Sequence, residues 1–532
     1  MSRKFLLVNL CLLLVVVLAA CGAPAAPAPA PTAAPQAAAP TKAPAPTKAP
    51  EPTQAPAPTK APEPTQAPAV ELTYVYVGGQ QKDQQAVNDA VNKMLKTKIN
   101  ATVKLVPHDW GAYTDKVNLM FASGEACDII WNAPWMAPSS LQLVANGSVL
   151  ALNDLLPGSA PDLWKSMPAD GWKGTTVGGK IYGVPFQEIW VKPFGIVVRK
   201  DLADKYSLNV SKVQKWEDLE PFLAALKKGE PGITPIGLTD STPPGSLYMA
   251  EIHGFDPIIS QDVQVVVRYD DKDLKAFNAF QSPEFKADVE LAYKWGQAGY
   301  FPKDLVPAAD YDAQFKSGKF AMGGAAVVKP GGEAEFKSRR GFDGVQKSLT
   351  TPFKTTAAVS ASQTGICANS KNPKKAAEFI NLLATDPKLY NLLAYGIEGK
   401  HWVWDDKALN LIKAGPEKDN YNPSSNWMFG NTTIAYYADP TAAANKTQEA
   451  TLKLNVDSSP SAALGFSFNP DPVKNEVAQV SAVVKELGYP LINGMADPAE
   501  ALPKFIAQLK AAGMDAIVAE AQKQLDAWRK SK

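Results

Sequence analysis

The sequence has little with which to do covalent chemistry. It holds three histidines, His108, His253 and His401, and no two of them sit at the spacing of a zinc-binding pair. HExxH and CxxC are missing, as is the GxSxG turn that presents a serine nucleophile. These gaps argue against a metallohydrolase, a dithiol oxidoreductase and an α/β-hydrolase, and neither a cofactor nor a metal is expected. Charge of one sign is lacking too: 54 Lys and Arg face 53 Asp and Glu, for a net charge of +1, so nothing marks nucleic acid as a partner. Beyond the first twenty residues no apolar run reaches the roughly 20 residues of a membrane span. The pattern GTTVGGKI, Gly174 to Ile181, meets the spacing of a phosphate loop. Ile181 stands where that loop needs a hydroxyl for the metal, and a strand-like run follows where a helix should start, so a β-turn is predicted instead.

What the chain does have begins at its N-terminus. Arg3 and Lys4 precede an apolar stretch from Phe5 to Leu18, then Ala19, Ala20 and Cys21. Basic flank, short greasy core and small residues make a secretory signal over residues 1–20. A cysteine directly after the small residues is the group that accepts a diacylglyceryl chain, so Cys21 is the expected lipidation site. The mature chain is expected on the outer face of the cell membrane, held by two or three acyl chains at about 0.8 kcal/mol per buried methylene. From Gly22 to Ala69 there is no aromatic residue and no aliphatic one larger than Ala, and APTKAPEPTQAP occurs twice, at 45–56 and 57–68. Such a segment has no core to build. Prolines at this density favour an extended tether reaching on the order of 100 Å.

From Val70 onward the composition is that of a globular protein of two or more domains. Leu72–Val77 alternates as a strand, Val87, Val91 and Met94 or Leu95 line one helix face, and Ala101–Val106 is a second strand. A helix over Tyr113–Ser123 closes on Gly124 before a third strand, Asp128–Trp131. This βαβαβ opening predicts a parallel sheet in an α/β fold, with ligands beyond the carboxyl ends of the strands. His108, Asp109 and Trp110, and Asn132 to Trp135, occupy those ends. Further on, Asn372 and Pro373 start a helix with the stripe Ala376, Phe379, Ile380 and Leu383, next to a strand near Thr364–Ala368. Val473, Val477, Val480, Val484 and Leu487 define one late helix, and Ile517, Ala521, Leu525 and Trp528 another. Cys127 and Cys367 remain after the signal and the lipid site. They either pair or stay as two buried thiols.

In collinear order the chain reads FASGEACDIIW, GGKIYGVPF, VVRKDLADKY, KWEDLEPFLAALKK, YDAQFKSGKFAM, GICANSKNPKKAAEFINLLATD, YGIEGKHW, GFSFNPDPVKNEVAQV and LKAAGMDAIVAEAQKQLDAW. This series resembles the extracellular solute-binding lipoproteins of ABC importers, in particular LplA/LipO-like members related to family 1 sugar binders. Lys215 departs from the pattern, since such proteins often place a capping Ser or Thr there. The resemblance implies a two-lobed, periplasmic-binding-protein-like (type II) clamp with a helix-rich C-terminal part. Residues 70–187 and 361–420 would form one lobe and 188–360 and 421–532 the other, with crossings near Glu188, near Ser360 and between Gly415 and Asn431. It also implies ABC permease subunits and their ATPase as partners of a monomeric, non-enzymatic binder.

Among twelve tryptophans, several fall at strand ends or in loops beside polar groups. Trp110 follows Asp109, Trp131 and Trp135 flank Asn132, Trp190 follows Gln187 and Glu188, and Trp402, Trp404 and Trp427 lie in late loops. Flat rings cover the C–H face of a sugar while carboxylates and amides bond its hydroxyl rim. Tyr248 and Glu251 match, by the resemblance, a region where sugar binders supply stacking groups. The expected ligand set is therefore Asp109, Trp110, Trp131, Asn132, Trp135, Gln187, Glu188, Trp190, Tyr248, Glu251, Trp402 and Trp427. The expected function is capture of an oligosaccharide or sugar derivative for import by hinged closure. A peptide or modified-amino-acid binder and a surface enzyme acting on polysaccharide are the alternatives.

Overall fold

The computed structural model describes residues 68–191, 193–239, 246–260, 262–423 and 426–531. The expected signal, the Cys21 lipidation site and the tether as far as residue 67 lie outside the described residues. Among the described residues no helix is long and apolar enough to cross a membrane.

The first lobe is built as its alternation dictates. β1 (Val70–Val77), α1 (Gln84–Ile99), β2 (Ala101–His108), α2 (Trp110–Ser123) and β3 (Ile129–Asn132) follow one another, and β1 lies between β2 and β3, parallel to both. Val87, Val91 and Leu95 are the buried face of α1, and Gly124 closes α2 at φ 70°, a conformation open to a residue without Cβ. The sheet is not parallel throughout. Strand Gln363–Ile366 runs antiparallel to β3, and Val184–Pro185 runs antiparallel to that strand at the sheet edge. Ser139 and Gln142 form a reciprocal capping box for α3 (Ser140–Ala145). Cys127 and Cys367 are joined by a disulfide across 240 positions of sequence, tying the approach to β3 to the end of its antiparallel neighbour.

The second lobe has its own sheet, with Phe194–Arg199 at its middle. This strand is antiparallel to Phe320–Gly323, Ala326–Val327 and Gly344–Ser348, and Thr234–Gly237 lies outside Phe320–Gly323. Its core joins a second, helix-rich core along the segment Leu247–Ala250 and the helix Pro283–Gln297. Phe285 and Val289 lie in the helix-rich core, and Ala292 and Trp295 in the sheet core. The C-terminal helix Met514–Lys530 buries Met514, Ile517, Ala521 and Leu525 in the helix-rich core.

Trp190 packs in the first core and Phe194 in the second lobe. Tyr421, Met428, Phe429, Ala435 and Leu464 pack in the first core; Phe429 meets Tyr76 edge-on at 5.4 Å, and Asn431 bridges to Gln187. The GTTVGGKI segment is a tight hairpin. Thr176–Val177 pairs with Lys180–Ile181 across Gly178 and Gly179, both at positive φ, and no helix follows to hold a phosphate.

Candidate functional site

β1 and β2 finish together, Val77 opposite His108. Four indoles meet beyond these ends and that of β3. Trp110 opens α2 directly after β2, Trp131 is the penultimate residue of β3, Trp135 follows it by one turn, and Trp427 arrives on the 3-10 turn Asn426–Phe429. Trp110 and Trp135 stack with centroids 6.0 Å apart and planes 21° from parallel. Trp131 meets Trp110, Trp135 and Trp427 edge-on at 6.2, 5.7 and 6.1 Å, and Trp427 leans on Trp110 at 6.2 Å. Edge-to-face contacts suit the quadrupole of the rings and fix their orientation.

Burial divides the four. Trp131 is fully buried and anchored: its Nε1 donates to Ser362 Oγ at 2.7 Å, and its carbonyl accepts from the Tyr113 hydroxyl. Trp110 and Trp135 remain 46% and 52% exposed, the only exposed tryptophans among the described residues. The Nε1 of Trp135 donates to the Ala361 carbonyl at 2.6 Å, so this open ring is also held in place. Large aromatics are normally covered. Two left open, stacked and supported from beneath, form a rigid apolar platform. Asp109, exposed, stands at the start of α2 beside it. Burial and the nearby Lys116 charge hold the His108 imidazole below its usual range, so it is neutral at neutral pH.

The other expected residues are placed differently. Gln187 and Glu188 lie, half-buried, where the chain leaves the first lobe. The backbone of Gln187 bonds Gly430 and Thr432, and its side-chain nitrogen is buried with no hydrogen-bond partner among the described residues. The Asn455 amide donates to the Glu188 carbonyl at 2.7 Å and accepts from the Trp190 N–H at 2.8 Å. Trp190 itself is a packing residue, 3% exposed, with its Nε1 bonded to the Phe186 carbonyl. Trp402 is buried as well, bonded to the Gly396 carbonyl and grouped with Trp404 and Tyr436. Tyr248 lies inside the helix-rich core against Phe285, and Glu251 follows it on the turn Ala250–His253. Among the described residues nothing brings these last four to the indoles.

Sequence reasoning named Asn132 but missed the rest of the opposite face of the same strand ends. Asn132 pairs with Gln363, and both line a cavity of about 110 Å³ with Ser140 and Leu141 of α3 and with Asp256, Ile258 and Phe466 of the second lobe. Only the pairing of β3 with a strand 231 positions on reveals it, and no local signal does. Burial, with the Glu251 carboxylate adding to it, pushes the Asp256 carboxyl up to about 7 against a hydrogen bond from Ser461. No group of three or more His, Cys, Asp or Glu side chains is placed to hold a metal ion among the described residues.

A family model described as "Bacterial extracellular solute-binding protein" matches residues 89–397, and one described as a domain of unknown function (DUF3502) matches residues 462–530. A "Carbohydrate ABC transporter substrate-binding protein" of Streptococcus pneumoniae serotype 4 (strain ATCC BAA-334 / TIGR4) is 28% identical over 443 residues, covering 83% of this chain and 87% of that protein. Among solved structures, the N-glycan transport solute binding protein NgtS from Streptococcus pneumoniae superposes with a TM-score of 0.77 at 26% identity, over 87% of this chain and 99% of its own. Its complex with Man1GlcNAc gives a TM-score of 0.69 at 25% identity, over 86% and 99%. The family and fold are those of non-catalytic solute-binding proteins.

Proposed function

This chain belongs to the bacterial extracellular solute-binding proteins, and on that premise we propose that it captures an oligosaccharide or sugar derivative outside the membrane and delivers it to an ABC importer. The observation that carries this reading is the open indole pair Trp110–Trp135, stacked and propped by Trp131. A sugar ring laid on the pair buries its C–H face. Covering on the order of 100 Å² of indole contributes about 2.5 kcal/mol at 25 cal/mol per Å². Asp109 at the platform's edge and Gln187, whose buried amide nitrogen has no hydrogen-bond partner among the described residues, are the polar groups we assign to the hydroxyl rim.

Closure of the two lobes about segments near Glu188, Ser360 and Asn455 completes the mechanism, with the ligand favouring the closed form through contacts it makes only there. Lipid anchoring at Cys21, the permease subunits and their ATPase, a monomeric state and an LplA/LipO-like subgroup belong to the same proposal. Stacked, open aromatics speak against the peptide reading, which calls for backbone groups facing a single anchoring charge. Isothermal titration and ligand-dependent tryptophan fluorescence against mannose and N-acetylglucosamine oligosaccharides test it. Micromolar or tighter binding with quenching or a blue shift is expected, and binding by peptides but by no saccharide overturns it.

A further inference from the structure

Three stretches of chain run between the lobes, and one residue is tied to all of them. Trp190 lies in the first core and Phe194 in the second lobe, Leu349 packs in the second lobe and Val359 in the first core, and Ala463 and Leu464 fall in different cores. Lys354 sits in the middle stretch. Its backbone bridges to Val191 in the first stretch and pairs with Pro460 in the third, and its Nζ donates to the Asn455 backbone carbonyl at 3.0 Å. The same ammonium meets Oδ2 of Asp170 at 2.8 Å, on the first-lobe helix Ala169–Gly174. That helix lets the crossings lie against it. A Cβ on Gly171 would come within 2.8 Å of the Trp190 ring, and one on Gly174 within 2.4 Å of Val359, so the close approach of both stretches needs residues without a side chain. Asp170 also holds Lys173 at 3.1 Å. Burial pushes its carboxyl up, but the bonds from Lys354 and Lys173 outweigh that and hold it below the usual carboxylate range, so it is charged at neutral pH.

Lys354 is 5% exposed. A buried ion pair seldom stabilises a fold more than well-packed apolar side chains of the same volume do, because both charges give up water. What it supplies is direction: an ammonium bonded to a carboxylate and a carbonyl fixes where its partners stand. We infer that Lys354 is a positioning residue for lobe closure, its ammonium clamping the Asn455 carbonyl of the third crossing to Asp170 of the first lobe and so setting the angle at which the lobes rest. In this role Lys354 acts through the crossings and makes no contact with ligand. Without the clamp the lobes sample a wider range of angles, the fraction competent to close on a ligand falls, and apparent affinity falls with it. The inference rests on the binding function and the hinged closure proposed above.

Small-angle scattering and titration of the full chain test this with Lys354→Met, Asp170→Asn and the double variant. Lys354→Met removes the charge and keeps the length of the side chain, and Asp170 still has Lys173. Unliganded Lys354→Met should show a larger radius of gyration than the wild type, and its affinity for Man1GlcNAc should fall about three- to tenfold. Asp170→Asn should move both readouts the same way, and the double variant should match Lys354→Met, because the pair acts as one unit. If Lys354→Met does not fold, Asp170→Asn, which leaves the ammonium its bond to the Asn455 carbonyl, carries both readouts. A lowered melting temperature with wild-type scattering and wild-type affinity makes the pair a structural tie alone and overturns the inference. Additive effects of the two substitutions overturn it as well. Scattering of the unliganded chain needs no saccharide, so the two readings fail separately: a wild type that binds no sugar removes the carbohydrate reading, whereas a wild-type radius in the variants removes the positioning role.

Discussion

Trp110 and Trp190 are the same side chain in opposite circumstances. Trp110 is nearly half exposed and touches its neighbours through ring contacts, so Trp110→Ala should shift the melting temperature little and weaken saccharide binding at least tenfold. Trp190 is enclosed, with Gly171 close beneath its ring. Trp190→Ala should cost about 3–5 kcal/mol of stability while the protein that remains folded still binds; calorimetry of both variants with and without ligand separates the two. Asp256 carries a pH dependence with a definite sign. Its folded pKa of about 7 lies above the roughly 3.9 of an unfolded aspartate, so the folded chain holds a proton that the unfolded chain releases between those values. Its contribution to stability is therefore intact below about pH 4 and is lost as pH climbs through 7. Asp256→Asn abolishes that slope: between pH 5 and pH 8 the wild type should lose more of its melting temperature than the variant does. Equal losses would show that the carboxyl titrates normally.

Elements with a local signal were legible. Alternation gave β1 and β2, the 3.6-residue period gave α1 and the helix at Pro373–Thr385, and Gly124 marked the end of α2. Where pairing is remote, the sequence was silent: Gln363–Ile366 reads as a strand, yet its antiparallel fit beside β3 depends on residues more than 200 positions away. The late stripe Val473–Leu487 reads as one helix and is built as a 3-10 turn, an α-helix and a π turn ending at Gly488. Pro490, with no N–H to give, follows that change of winding. At Lys215 the cap comes from downstream: Asp218 accepts from the N–H groups of Gln214 and Lys215. The indoles of the platform were found because they follow strand ends. The same logic also selected Trp190 and Trp402, since sequence shows where a ring is attached and not what lies across from it.

At the scale of the molecule, passage between lobes is concentrated in one polar knot. The Asn455 side chain holds Glu188 and Trp190, the Asn455 backbone carbonyl accepts from Lys354 Nζ at 3.0 Å, and the same ammonium meets Asp170 at 2.8 Å. Lys354 is 5% exposed, so the pair is shielded from salt. On the hinged closure proposed above, the lobes turn about this knot. Small-angle scattering should accordingly record a smaller radius of gyration at saturating oligosaccharide, and superimposable curves would contradict closure. The Cys127–Cys367 bond lies on the far side of this pivot in sequence, since the chain from Val191 to Ser360 departs and returns between the two half-cystines. An endoprotease that nicked an exposed loop of that excursion would sever the polypeptide without releasing either piece. Outside a cell, where cleavage is a constant hazard, one covalent staple thus keeps a damaged receptor in one part.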